Sequence, residues 1–178
     1  MNLDLGTISV RSLTQHDKHL LVKWLSDPSV LAFYEGRDNP YDLKRVDEHF
    51  FQTEKNVQRC IVTYQNTPIG YIQYYLVTSE TSKLNLGTGR HFGMDLFIGE
   101  RDFWNKGIGT KLVQGMVDYL IAEEQADQVI VDPQITNKRA IRCYEKCGFQ
   151  KVNILSNHEY HEGGFRDCWL MVCKSEGG

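Results

Sequence analysis

The segment Lys106-Gly107-Ile108-Gly109-Thr110 has the residue types to hold an anion. It stands between a β-rich stretch and a helical pattern. Two glycines let backbone approach a ligand closely, and the N–H groups of a first helical turn have no intrahelical partner. Those donors and the positive end of the helix dipole suit a pyrophosphate. The spacing is not a Walker loop, which needs G-x-x-x-x-G-K-[ST]. It is not a dinucleotide fingerprint either, because Leu112 stands where the third glycine belongs. About thirty residues on, Asn137, Ala140, Tyr144 and Gly148 fall along one side of a second helix. Ala140 lets something approach that side, where Asn137 offers an amide and Tyr144 a phenol. The same spacing also serves a helix that simply packs on a sheet.

The elements that must position these groups follow from periodicity. Thr7 to Arg11 is strand-like, and residues 15–26 place Leu20, Leu21, Trp24 and Leu25 on one helical face that the Asp27-Pro28 step ends. A loop over Gly36–Pro40 precedes a helix over about Asp42–Phe51. Val57–Tyr64 and Ile69–Val77 read as a hairpin around a turn at Asn66-Thr67-Pro68. Thr78–Arg90 is a long polar loop, of a length that usually serves binding or is mobile. His91–Gly99 returns to β character. From Lys106, Ile108, Leu112, Met116, Val117, Leu120 and Ile121 form an apolar stripe. Gln128–Asp132 is a short strand closed by Pro133, and Asn137–Cys147 is a helix stopping at Gly148. Phe149–Leu155 and Arg166–Lys174 are the last strands. The order predicts one mixed α/β domain over 1–178, with a βαβ crossover from 91–99 to 128–132.

The pair Gly107-Ile108-Gly109-Thr110 and Asn137-x-x-Ala140-x-x-x-Tyr144-x-x-x-Gly148-Phe149, with the Pro68-Ile69-Gly70 strand opening, resembles the GNAT family of acyl-CoA-dependent N-acyltransferases. The resemblance covers most of the chain. It implies the GNAT fold: a central, mostly antiparallel twisted sheet with one parallel βαβ crossover and helices on both faces. It also implies acetyl-CoA as the donor, held by Lys106, Gly107, Ile108, Gly109 and Thr110 and by Asn137, Ala140 and Tyr144. The family loop commonly carries Arg or Gln where this chain has Trp104, which leaves the backbone N–H groups as pyrophosphate donors. Trp24-Leu25, Phe33-Tyr34-x-Gly36, Gly93-Met94-Asp95, Asp132-Pro133 and Arg139-Ala140-Ile141-Arg142-x-Tyr144 are more narrowly similar to aminoglycoside 6′-N-acetyltransferases. That likeness implies acetylation of the 6′-amine of kanamycin- or tobramycin-like antibiotics, and so antibiotic resistance. Acetyltransferases of siderophore-precursor lysines share parts of the pattern.

Amide formation from a thioester needs an uncharged amine, a stabilised oxyanion and a protonated thiol leaving group. Asp95, in the strand before the glycine turn, is the expected amine-positioner and base. With an ordinary pKa of about 3.9 it is a poor base for a free ammonium, yet it can accept a proton once attack has acidified the nitrogen. Backbone N–H groups of Leu96, Phe97 and Ile98 are expected donors to the acetyl oxygen, because a strand that splays from its neighbour leaves such groups free. Tyr144 is either the acid for the departing thiolate or packing beside the coenzyme. Asp132, at the end of the next strand, borders the same cleft if the two strands run parallel, and two carboxylates suit a polyamine. Tyr34, Glu35 and Asp38 in the early loop and Glu80 in the long loop are further candidates for the acceptor wall.

Composition excludes other classes. With 20 Lys+Arg against 23 Asp+Glu, a net charge of −3, the chain lacks the basic excess of a nucleic-acid binder. No apolar run approaches the roughly 20 residues that span a bilayer, and Met1-Asn2-Leu3-Asp4 does not open a secretory signal. The five cysteines are odd in number and widely spaced, His158 and His161 form H-x-x-H without the metalloprotease order, and no metal is expected. These features fit a cytoplasmic protein with reduced thiols. A monomer and a homodimer are equally open. The competing readings are a protein or siderophore-precursor amine acetyltransferase and a non-catalytic acetyl-CoA-binding module.

Overall fold

The computed structural model of the chain describes residues 1–177. Eight strands form one sheet: β1 Asn2–Asp4, β2 Ile8–Ser12, β3 Val57–Tyr64, β4 Thr67–Val77, β5 His91–Ile98, β6 Gln128–Val131, β7 Gln150–His161 and β8 Gly164–Lys174. Their order is β1-β2-β3-β4-β5-β6-β8-β7. Among the described residues only β5 and β6 pair in parallel, and the connection between them runs through a 15-residue helix, as a crossover requires.

Five α-helices cover the sheet: α1 Lys18–Trp24, α2 Pro28–Leu31, α3 Leu43–Phe50, α4 Ile108–Ala122 and α5 Lys138–Lys146. The alternation of strand side chains divides the core in two. On one face Leu21 and Trp24 of α1, Leu31 of α2 and Val46 and Phe50 of α3 meet Ile61, Tyr71 and Phe97. On the other, Leu112, Met116 and Leu120 of α4 and Ile141 of α5 meet Val10, Val62, Ile72 and Met94.

Several local expectations are corrected. A short β1 precedes the first expected strand and pairs antiparallel with it. Pro28 starts a helix as well as ending one: it occupies the first position of α2, where its missing N–H costs nothing, and Asp27 caps that helix through the Ser29 N–H at 2.9 Å. The β3–β4 turn is Gln65-Asn66, both at positive φ, with Tyr64 opposite Thr67. That is the two-residue hairpin geometry that matches strand twist. Thr67 and Pro68 therefore belong to β4, where a bulge between Val62 and Thr63 accommodates the proline. The last hairpin is longer than its apolar runs suggested, because β7 continues through polar residues to His161.

Candidate active site

The parallel pairing of β5 with β6 has only three steps, His91↔Gln128, Phe92↔Val129 and Gly93↔Ile130. Beyond Gly93, β5 keeps its antiparallel partner β4 as far as Ile98. Its other edge, from Met94 to Ile98, has no strand of the described residues beside it. This is the splay expected from sequence, and it opens a cleft of about 1010 Å³ floored by Met94 to Ile98. The cleft continues past the glycine turn and between the starts of α4 and α5.

Gly107 adopts φ 76° at the N-cap of α4, a left-handed conformation that glycine takes at no steric cost. A side-chain atom at Gly107 would meet nothing within 4 Å, and one at Gly109 would meet only the Cys143 thiol at 3.9 Å. The backbone there is open to a ligand, and the chemistry of a helix start fits a diphosphate. Lys106, Ile108 and Thr110 also line the cleft, as do Asn137, Ala140 and Tyr144 of the second motif. Asn137 has a local task as well: its amide oxygen accepts from the Ala140 N–H at 3.3 Å and caps α5.

Trp104 is turned inward, its indole N–H donating to the Ile98 carbonyl at 2.8 Å. It adds no cation, but it holds one: the Arg139 guanidinium lies 4.8 Å from the Trp104 ring and 5.2 Å from that of Phe33. Arg139, Arg142, Lys146 and Lys106 all line the cleft. So do four acids, Glu35, Asp95, Asp132 and Glu159. The cations flank the glycine turn and α5, and the acids stand at the strand ends and neighbouring loops. The cleft thus carries both signs of charge, the cations from α5 and the glycine turn and the carboxylates from the strands and the early loop.

Asp95 projects with Phe97 toward the α1–α3 face of the sheet, and its cross-strand partner is Gln73. The Gln73 amide donates to Asp95 Oδ2 at 2.9 Å, and the Tyr71 hydroxyl donates to Gln73 Oε1 at 2.7 Å. The Tyr75 hydroxyl is a further neighbour that holds the Asp95 carboxyl down. The Tyr75 ring lies across Gly93, where a Cβ would come within 2.5 Å of it, so this position of Tyr75 requires a glycine opposite. Burial first, and then the charge of Asp132, push the Asp95 carboxyl up to about 6, against the pull of Gln73 and Tyr75. Asp95 is thus a stronger base than an ordinary carboxylate.

Asp132 stands two residues past Ile130, as Asp95 stands two past Gly93, its partner. The parallel course of β5 and β6 therefore brings the two carboxylates to the same level. Tyr144 faces both, and burial followed by the Asp95 charge raises its phenol, which stays protonated. Tyr34 packs on Phe97 with ring centroids 4.7 Å apart, its hydroxyl likewise pushed up by burial. Tyr34 and Glu35 line the cleft. Asp38 and Glu80 do not: both are exposed, Asp38 beside Gly36 in the early loop and Glu80 in the Thr78–Thr81 turn.

Several lining residues escaped the sequence reading. Gln73 and Tyr75 give no signal beyond β alternation. Cys143 reaches the cleft from α5 with Thr110 Oγ1 3.6 Å from its sulfur, and the neighbouring Cys147 thiol lowers its pKa. His158 Nε2 lies 2.7 Å from Asp132 Oδ2, and that contact raises the imidazole. No group of three His, Cys, Asp or Glu side chains arranged to hold a metal occurs among the described residues. No helix among them is long and apolar enough to cross a membrane.

Residues 14–156 match a family described as an acetyltransferase (GNAT) domain. Aminoglycoside N(6')-acetyltransferase type 1 of Klebsiella pneumoniae is 29% identical over 158 residues, which cover 82% of this chain and 75% of that protein. The solved structure of AAC(6')-Ib with ribostamycin and coenzyme A superposes with a TM-score of 0.82 at 27% identity, over 96% of this chain and 95% of that one. The structure of AAC(6')-Ib with coenzyme A and kanamycin superposes with a TM-score of 0.80, also at 27% identity, over 95% of each chain.

Proposed function

The chain belongs to the GNAT family of acetyltransferases, and from that premise we propose that it acetylates the 6′-amine of aminoglycoside antibiotics and thereby confers resistance to them. Acyl-CoA-dependent N-acetyl transfer follows from the family and its acetyltransferase relatives. The observation that carries the choice of acceptor is the set of acids in the cleft, where Asp95 and Asp132 stand at one level with Glu35 and Glu159 nearby. Several carboxylates around one opening suit an acceptor with several ammonium groups better than a peptide end with one. The relatives named for aminoglycoside acetylation support the same reading.

In this reading the open backbone of Gly107 to Thr110 holds the donor's pyrophosphate, aided by the Arg139 and Lys106 cations. The donor supplies an acetyl group activated as a thioester. Unpaired N–H groups of Leu96 and Ile98 receive the growing negative charge on the acetyl oxygen, whereas the Phe97 N–H, in phase with that of Gly99, is turned to β4. Asp95 holds the attacking amine and, as the C–N bond forms, takes its proton directly or through water. Tyr144 donates its proton to the sulfur as the C–S bond breaks. The products are an amide and a free thiol, with one proton passed to Asp95 and one drawn from Tyr144.

The test is thiol release from acetyl-CoA with kanamycin, tobramycin, a siderophore-type lysine and short peptides, followed by NMR of the product. Release with the aminoglycosides, and acetyl on the 6′-nitrogen, is expected. Faster release with lysine or peptide overturns the choice of acceptor, and binding without release from any amine overturns transfer itself.

A further inference from the structure

His158 lies in the part of β7 that breaks register with its partner. Between Leu155↔Cys168 and Glu159↔Arg166, β7 advances four residues while β8 advances two. Asn157 takes a left-handed φ of 49° inside this bulge, and its N–H donates to Asp167 Oδ1 at 2.8 Å. Extra residues in one strand re-aim the side chains that follow them. Here the effect is to carry the imidazole over the sheet end to Asp132 at 2.7 Å, with the His158 side chain 34% and the Asp132 side chain 38% exposed. A plain hairpin would leave that carboxylate to the solvent of the cleft.

We infer that His158 is a specificity-determining residue of the acceptor site: on Asp132 its imidazolium occupies the place that a second ammonium of a polycationic acceptor must take. The inference rests on the proposed reading that the acceptor is cationic and deepens it. Two cations compete for one carboxylate, so a polyamine binds only by displacing the imidazolium, whereas a monoamine that reaches Asp95 displaces nothing. The acids that act on His158 are Asp132 beyond β6 and Glu159 on β7; Asp167 on β8 holds the adjoining Asn157, Arg166 stands opposite Glu159, and Asp95, Arg139 and Arg142 line the same cleft. Contact with Asp132 raises the imidazole from its ordinary value. Lowering the pH therefore strengthens the imidazolium's hold on Asp132, and raising it leaves a neutral ring that yields.

The experiment compares KM for kanamycin, for spermidine and for 6-amino-6-deoxyglucose in the wild type and in His158→Gln. Glutamine can still donate to Asp132 but carries no charge. Taking the ratio of the two proteins cancels the titration of Asp95, which both share. For the polyamines, the wild-type KM should exceed that of the variant about fivefold or more near pH 6 and match it near pH 8.5, in keeping with tenfold per unit as the ceiling. The monoamine ratio should stay flat. In parallel, the His158 imidazole pKa read by NMR, assigned by its loss in the variant, should fall on adding kanamycin. A polyamine ratio independent of pH, the same trend for the monoamine, or an unmoved imidazole overturns the inference. The expected ratios with spermidine, together with no acetylation of any aminoglycoside, would overturn the aminoglycoside reading and leave the role of His158 standing.

Discussion

Replacing Asp95 by Asn should make the protein more stable and nearly inactive, and the size of the first effect follows from the site. The folded carboxyl titrates at about 6, against about 3.9 when unfolded, a difference of about two units at 1.36 kcal/mol each. The ionised form at neutral pH therefore costs about 3 kcal/mol at most, reduced by the water that reaches it from the cleft, so about 1–3 kcal/mol is expected. Asn keeps an acceptor for Gln73 and has no charge to desolvate. For a chain of this length that gain corresponds to a Tm increase of about 2–12 °C at pH 7.5. Because the folded pKa is the higher one, the penalty is absent below about pH 4, grows between the two values, and is complete above about 6. Thermal unfolding of the two proteins should therefore diverge as pH rises from 4 to 7.5. Transfer should fall by about a hundredfold or more, while acetyl-CoA affinity, measured by calorimetry, should change by less than about twofold, since 1.4 kcal/mol is already tenfold. A variant that is less stable at pH 7.5, or a Tm difference constant with pH, would refute the desolvation argument. Full turnover would remove Asp95 from the chemistry.

Asp132→Asn should raise KM for kanamycin about tenfold, the loss of one good charge-assisted contact, with little effect on a monoamine. It should also move the acidic limb of the rate–pH profile below 6, because the Asp132 charge helps to raise Asp95; equal KM changes for both acceptors would make Asp132 structural. Arg11→Met tests the fold away from the site. Arg11 makes two 2.8 Å bonds to the buried Asp17 carboxylate, which burial pushes up but which Arg11 and Thr14 together hold below the ordinary range. The variant should lose about 1–3 kcal/mol at pH 7 by urea unfolding, the cost of leaving a buried carboxylate short of partners. Since the folded pKa of Asp17 is lowered, this contribution is full above about 3.9 and is lost at more acid pH, so the two proteins should converge there. A loss unchanged by pH would count against the ion pair.

The parts of this protein visible in its sequence are those whose physics is local. The glycine turn at 107 and 109, the stripe along α4 and the Asn137–Tyr144 helix face depend on neighbours within one or two turns, and the structure places each as read. Asp95 and Asp132 could be set at one sheet end because a βαβ crossover fixes the direction of both strands. What escaped depends on distant pairing. Gln73 sits beside Asp95 through strand register, and no local pattern announces it. His158 is aimed by a bulge whose left-handed residue, Asn157, looks like any polar loop position. Thr67-Pro68 was read as a turn because proline punctuates loops, whereas the positive φ angles fall on Gln65 and Asn66. Asp38 and Glu80 have the right charge for an acceptor wall and lie outside it, since charge alone carries no information about which way a loop turns.

The presence of both signs of charge in the cleft has a consequence for the end of the catalytic cycle. An acceptor arrives with one more positive charge than it leaves with, because an amide nitrogen carries none. The carboxylates therefore attract the incoming amine more strongly than its acetylated product, while the cations go on attracting the spent donor. The acetylated product should therefore depart before the spent donor.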